Sequence, residues 1–205
     1  YIENGILAAG LFYKDIEDEI FFLTTQGPVT IDGVTYDQVS QPENAAGAEI
    51  TGLELQYQQT FRFLPAPFDG FGVQANLTYL DTEYTVPLGD GTTRSTSFFQ
   101  QPELVYNLTG FYVTPAFEVR VSYNYTDEFL DALNAGDPNR DEFWDERTQV
   151  DMQARFNLTP RLSIIGEVQN LTDEGRRELT GPGAAFLQED AEFGRTFWLG
   201  VNAQF

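Results

Sequence analysis

Phe193-Gly-Arg-Thr-Phe-Trp-Leu-Gly-Val-Asn-Ala-Gln-Phe205 closes the chain and decides its fold. Phe197, Leu199, Val201, Ala203 and Phe205 are apolar at a period of two, whereas Thr196, Gly200, Asn202 and Gln204 are polar or small; Trp198 is the exception. Side chains of a strand alternate between its faces, so this segment has one greasy face and one that is not. In water, such a terminal strand would be an aggregation-prone edge. In a barrel embedded in lipid it is a closing strand whose apolar face is solvated by hydrocarbon.

The pattern recurs upstream. A long first strand is expected from Gly5 to Thr24, kinked at Lys14–Glu19, and a second from Ala48 to Phe63 with Leu53, Leu55, Tyr57 and Phe61 on one side. A third runs from Phe71 to about Val86, a fourth from Glu103 to Val113, and a fifth carries Phe117, Val119, Val121, Tyr123 and Tyr125. Val150 to Leu158 makes a sixth and Leu162 to Thr172 a seventh, so the closing strand is the eighth. Long loops at Gln26–Gly47, Pro87–Gln101, Thr126–Glu146 and Asp173–Glu192 alternate with short turns near residues 65, 115 and 160. An antiparallel up-and-down meander puts all the long loops at one end, the asymmetry of outer-membrane barrels. The other face carries Glu54, Glu118, Arg120, Asp151, Arg155 and Glu167, too many ionised groups for a dry core, so a wet lumen is expected. Tyr79, Tyr84, Tyr123, Tyr125, Phe63 and Phe68 fall near strand ends, as interfacial girdles would.

Composition narrows the function. Among 205 residues there are 32 Asp+Glu against 11 Lys+Arg, a formal charge of −21 that argues against nucleic acid as a partner. Neither Cys nor His occurs, which removes disulfides, thiolate nucleophiles and the commonest general base and zinc ligand. Neither a metal site nor a catalytic constellation is expected, and no cofactor. No apolar run is long enough for a transmembrane helix, which does not bear on strands. Tyr1 follows no Met or basic leader, so the chain is expected to be a piece of a longer protein.

Several segments in this order resemble the C-terminal barrel region of TonB-dependent outer-membrane receptors. They are Leu11-Phe-Tyr-Lys-Asp-Ile16, Asn44-Ala-Ala-Gly-Ala-Glu-Ile-Thr-Gly-Leu-Glu54, Gln101-Pro-Glu103, Val168-Gln-Asn-Leu-Thr-Asp173 and the closing Gly194–Phe205. The resemblance implies a 22-stranded barrel around an N-terminal plug, of which residues 1–205 would be the C-terminal portion; at this spacing the whole barrel would need about 570 residues. It implies import of a scarce ligand, such as a ferric siderophore, another metal chelate or an oligosaccharide, energised through TonB and the missing plug. It also implies long loops outside the cell, short turns in the periplasm, and an end signal (Phe197, Leu199, Val201, Ala203 and Phe205) read by the barrel-assembly machinery. Cut from its neighbours, the first strand near Leu7–Tyr13 and the last near Phe197–Phe205 would each lose a partner, so the piece alone is expected to form no stable pore.

Within the long loops the candidate ligand contacts are Phe98, Phe99, Phe129, Phe143 and Trp144, which could stack on a ligand or pack loops together, and Arg94, Arg140 and Arg147, which could pair with an anion or with acidic neighbours. Asn-x-Thr triplets at Asn76, Asn107, Asn124, Asn157 and Asn170 fall mostly within strands and are read as lumen-facing amides rather than glycosylation sites. Asp137-Pro-Asn-Arg-Asp141, with Glu142, Asp145 and Glu146, lacks the glycine and terminal Glu of a calcium loop and reads as a solvated acidic loop. Two other readings stand beside the importer: a complete eight-stranded outer-membrane barrel with a structural or adhesive role, and a barrel enzyme using paired carboxylates such as Asp15 and Glu17.

Overall fold

The computed structural model describes residues 5–88 and 91–204, and these form an all-β, antiparallel fold. In chain order the strands are β1 (Gly5–Ile16), β2 (Ile20–Ile31), β3 (Val34–Asn44), β4 (Gly47–Thr60), β5 (Phe71–Pro87), β6 (Thr93–Thr96), β7 (Leu104–Val113) and β8 (Phe117–Thr126). There follow β9 (Phe129–Ala132), β10 (Glu142–Trp144), β11 (Arg147–Thr159), β12 (Leu162–Gln169), β13 (Arg176–Thr180), β14 (Phe186–Ala191) and β15 (Thr196–Ala203). The wall is the meander β1-β4-β5-β7-β8-β11-β12-β15, with β6 paired to β5. Its short connections are 61–70, 114–116 and 160–161, all at one end, and its long connections lie at the other.

The registers are in phase across the wall. Leu7, Tyr57, Ala75, Leu108, Tyr123 and Val150 are successive cross-strand partners, and so are Phe71, Tyr112, Val119, Ala154, Gly166 and Leu199. Because partners share a face, the alternation of each strand adds up to one continuous apolar surface. That surface is open: Leu11 and Leu199, on the two end strands, are each 82% exposed. On the opposite face Gln56, Asn76, Asn107, Asn124 and Gln149 form a row of amides by the same logic. The path ends at β1 and β15, which do not pair with each other among the described residues, so the eight strands do not close on themselves. Phe205, the last residue of the end signal, lies outside the described residues.

Four expectations need correction. The first strand stops at Ile16, not Thr24, because Asp18 takes a left-handed backbone conformation (φ 57°) and Ile20 begins a separate strand. The expected loop at 26–47 is largely the second half of a long hairpin, β2–β3, whose two-residue turn Asp32-Gly33 has positive φ at both residues, as the twist of a tight hairpin demands. The loops after β8 and β12 are likewise structured: they supply β9, β10, β13 and β14 to a second sheet of order β14-β13-β10-β9, and β12 ends at Gln169 rather than Thr172. Finally, Tyr84 is no girdle residue. It pairs with Ala48 and Thr96 on the polar face and is fully buried.

Tyr84 centres the one cluster of buried apolar side chains found among the described residues, with Phe21, Leu23, Ala45, Ala48, Val86 and Ala135. The dry core thus sits on the polar face at the long-loop end, where the hairpin and loops fold onto the wall. Lower down, register is held by close approach: Phe12 lies over Gly52, where an added Cβ would come within 2.2 Å of the ring. Gly52→Val should therefore cost the intact protein ~1–3 kcal/mol through overpacking, read as a lowered urea midpoint for unfolding from lipid vesicles. Gly10→Ala, whose Cβ would meet nothing closer than 3.9 Å, should leave that midpoint in place.

Candidate ligand site under the long loops

The wall beneath the loops is polar and hydrogen-bonded. Asn107 Nδ2 donates to Asn76 Oδ1 at 2.8 Å, and the hydroxyls of Thr109 and Ser122 share a hydrogen bond at 2.8 Å. Asp151 accepts from Asn124 Nδ2 at 3.0 Å and from Gln149 Nε2 at 2.8 Å. Nearer the short turns, Arg120 pairs with Glu118 while its guanidinium lies over the Phe111 ring at 5.1 Å. Side chains of this kind, mutually satisfied yet still accessible, line water rather than a dry interior.

Asn170 shows why one of the five Asn-x-Thr triplets stands where it does. The residue is buried with φ 56°, a conformation Asn tolerates better than most side chains. Its Nδ2 donates to the carbonyls of Glu174 (2.9 Å) and Gly194 (3.1 Å), its Oδ1 accepts from the Glu174 amide (2.9 Å), and its own amide donates to Asp151 (2.9 Å). It clamps the loop between β12 and β15 to the top of the wall.

A second clamp, invisible in the sequence, is Asp141. It is buried at 1% exposure and pairs with Arg94 of β6. Its carboxylate also accepts from the Asn134 amide at 2.9 Å, and its backbone carbonyl accepts from Thr180 Oγ1 (2.9 Å) and the Gly181 amide (3.2 Å). Three long loops therefore meet on one residue. The hairpin joins them through Glu19, which accepts a hydrogen bond from the Tyr84 hydroxyl. The loops are a knitted cap, not separate strings.

This geometry separates the candidate contacts. Phe98 and Phe99 stack on each other (5.1 Å) and meet Tyr84 edge-on at 4.9 and 5.7 Å, packing against the loop core. Arg94 is held by Asp141 and by the Asn134 carbonyl. Arg140 is exposed, in a one-turn 3-10 helix (Pro138–Arg140) capped by Asp137, whose carboxylate accepts from Asn139 and is thereby held below the usual range. Trp144 of β10 carries the Arg176 guanidinium 3.3 Å from its ring centre. Phe129 and Phe143 line a groove of about 360 Å³ with Leu80, Thr82, Asp81, Glu103, Asp127 and Glu128. Arg147 begins β11 on the polar face, and its buried Nε has no hydrogen-bond partner among the described residues. Burial, and then the neighbouring Asp145, Asp127 and Glu146, raise the Glu128 carboxyl above its ordinary value.

Comparison with known proteins agrees with this architecture. The sequence profile of the TonB-dependent receptor-like β-barrel family matches residues 2–171. No curated protein sequence gives a match. Among solved structures, the siderophore receptor PiuA from Acinetobacter baumannii superposes with a TM-score of 0.64 at 20% identity, covering 99% of this chain and 26% of that one. A mutant of the ferric enterobactin receptor PfeA from Pseudomonas aeruginosa gives 0.57 at 20% identity, over 97% and 29%. The siderophore receptor PirA from Acinetobacter baumannii gives 0.60 at 14% identity, over 100% and 30%. At such identities the likeness is one of fold, and the chain spans less than a third of each of these proteins.

Two consequences can be measured in the cap. Asp141→Ala leaves the Arg94 guanidinium and the Asn134 amide without their acceptor inside a largely buried site, a loss of about 3–5 kcal/mol in cap stability; limited proteolysis within residues 129–144 should accelerate while the wall stays protected. Because the Glu128 carboxyl is raised in the folded state, its loop binds a proton more tightly folded than unfolded, so its stability falls as pH climbs through the window just above the ordinary glutamate range. Glu128→Gln should flatten that fall, seen as slower cleavage of the β8–β9 loop at neutral pH than in the parent.

Proposed function

The chain belongs to the TonB-dependent receptor-like β-barrel family, and on that premise we propose that it is the C-terminal portion of an outer-membrane importer, about a third of a 22-stranded barrel. The observation that carries this reading is the open wall: eight in-phase strands with an apolar outer face, a wet inner face and two end strands unpaired with each other. Such a wall is a segment to be completed by further strands, and this weighs against a self-contained eight-stranded barrel. The long loops face the cell exterior and the short turns the periplasm. A plug docks on the amide row and couples the barrel to TonB, and the strand ending in Phe197–Phe205 is read by the barrel-assembly machinery. The role is transport without catalysis.

The ligand is a metal chelate, with a ferric siderophore favoured because the structurally similar proteins carry that description. Contact falls on Phe129, Phe143, Trp144 and Arg147, with Arg140 at the rim; Arg94, Phe98 and Phe99 act from behind by holding the cap in shape. The groove beside Phe129 and Phe143 is lined by four carboxylates and no cation, so it suits a chelate presenting hydroxyl or cationic groups, and Arg147 at the start of β11 is the one anion contact of this reading.

In a strain lacking its own receptors, the full-length protein should restore uptake of a radiolabelled ferric siderophore only when TonB is present. The Phe129→Ala/Phe143→Ala double variant should weaken binding about tenfold or more, as loss of two aromatic anchors does. Uptake that survives deletion of TonB would overturn the reading.

A further inference from the structure

The connection 61–70 is unlike the other two short turns. Where 114–116 and 160–161 reverse the chain tightly, Phe61-Arg-Phe-Leu-Pro-Ala-Pro-Phe-Asp-Gly70 folds back against the wall. Gly70 makes the approach possible: a Cβ there would lie 2.5 Å from the Val113 carbonyl oxygen. Tyr112 fixes the fold-back by donating its hydroxyl to the Pro67 carbonyl at 2.8 Å, and its ring packs on Phe71 at 4.4 Å.

On the apolar face above this turn lies a groove of about 540 Å³. Phe61, Leu64, Phe71, Tyr112 and Val121 wall it, and the backbone at Gly110 floors it. Gly110 stands between Val73 and Val121 in its cross-strand row, on the face where its neighbours project side chains, and a Cβ there would meet nothing within 4 Å. The row is interrupted at that point, and three of the five wall residues are rings.

Hydrocarbon covers the whole apolar face, and lipid tails gain little by preferring one apolar surface to another. Selectivity must come from shape together with a headgroup contact. Arg62 lies between two groove residues, is exposed, and forms no ion pair among the described residues, in a chain where carboxylates outnumber cations by 32 to 11. Asp69 is in the same turn yet does not bridge to it. Arg62 shares its turn with the exposed Phe63 and Phe68, and a guanidinium in a turn bearing exposed rings at the membrane boundary suits a phosphate.

We propose that this groove is a binding site for one glycerophospholipid of the leaflet next to the short turns, an acyl chain lying over Gly110 and the phosphate on Arg62. The proposal rests on the barrel reading above for its orientation in the membrane. The lipid fills a gap in the wall and tethers the fold-back turn, so it acts as a structural ligand rather than cargo.

The test uses the full-length receptor in mild detergent, titrated with phosphatidylglycerol and observed by native mass spectrometry. The parent should hold one tightly retained lipid. Gly110→Leu, which fills the floor, should abolish that species, whereas Gly166→Leu, an open apolar-face position outside the groove, should keep it. Arg62→Gln should lower occupancy about fivefold, with partial recovery in Arg62→Lys. Arg62 is exposed in a turn, so that variant remains informative even where Gly110→Leu folds poorly. A graded ladder of adducts without a retained first lipid, or equal retention in Gly110→Leu and Gly166→Leu, would overturn the site. Siderophore uptake, measured in the same variants, tests the transport reading separately: uptake with no retained lipid refutes only the groove.

Discussion

Everything in this molecule depends on keeping eight strands in phase. Inside hydrocarbon no water is available to satisfy backbone amides and carbonyls, so each wall strand must be paired along its length by its neighbours. A slip of one residue would turn a strand's apolar side chains to the wet side and its carboxylates to lipid. The chain guards against this with shape as well as polarity. On the polar face the Phe12 ring covers Gly52 on the next strand, and the Phe111 ring covers Gly72. Each ring fits over its glycine and over no larger residue, so these two contacts peg β1 to β4 and β7 to β5. Aromatic cover of strand glycines is a known way of fixing register.

With the phase fixed, the polar wall follows. Its middle is built from uncharged amides and hydroxyls although the chain as a whole is strongly acidic. Amides can hydrogen-bond sideways to each other, as Asn107 does to Asn76, and still offer groups to water or to an incoming protein surface. A band of carboxylates in that place would repel itself and any acidic partner. Of the charges on that face, Glu118, Arg120 and Arg155 lie nearer the short turns, where Glu118 pairs with Arg120, while Glu54 and Arg147 lie on the long-loop side of the amide row.

The wall was legible in the sequence because period two is a local property: seven of its strands lie within a few residues of where alternation puts them. The first was read too long because the apolar run Ile20–Leu23 resumes soon after the polar Glu17–Glu19, and nothing local says that Asp18 turns the chain. Tyr84 could have been placed correctly. Counting from Phe71 and Val73 along the apolar face, an even-numbered position in β5 must face the other way, and parity outranks the general tendency of tyrosine to sit at an interface. The strands of the loop sheet had no such signal. β9 and β10 are too short to alternate visibly, and they belong to a sheet because β13, far along the chain, pairs with β10 and is itself flanked by β14. Asp141 was hidden for the same reason: it stands in an acidic run that looks solvated, and its partner Arg94 is 47 residues away.

Scarcity of cations then explains what the cap can and cannot do. Of the basic side chains, Arg94 is committed to the loop core, Arg120 to the wall, and Arg177 and Arg195 to loop carboxylates. Arg176 lies on Trp144. A cap tied in this way resists movement, since shifting the Asp141 loop breaks contacts with Arg94 on one side and with Thr180 and Gly181 on the other. It therefore favours a pre-formed receptor surface over a set of loops that must order around each ligand, and a surface that is already ordered loses less conformational entropy on binding. On the ligand reading proposed above, selectivity would then rest on the aromatic edges of Phe129 and Phe143 and on Arg147, rather than on rearrangement.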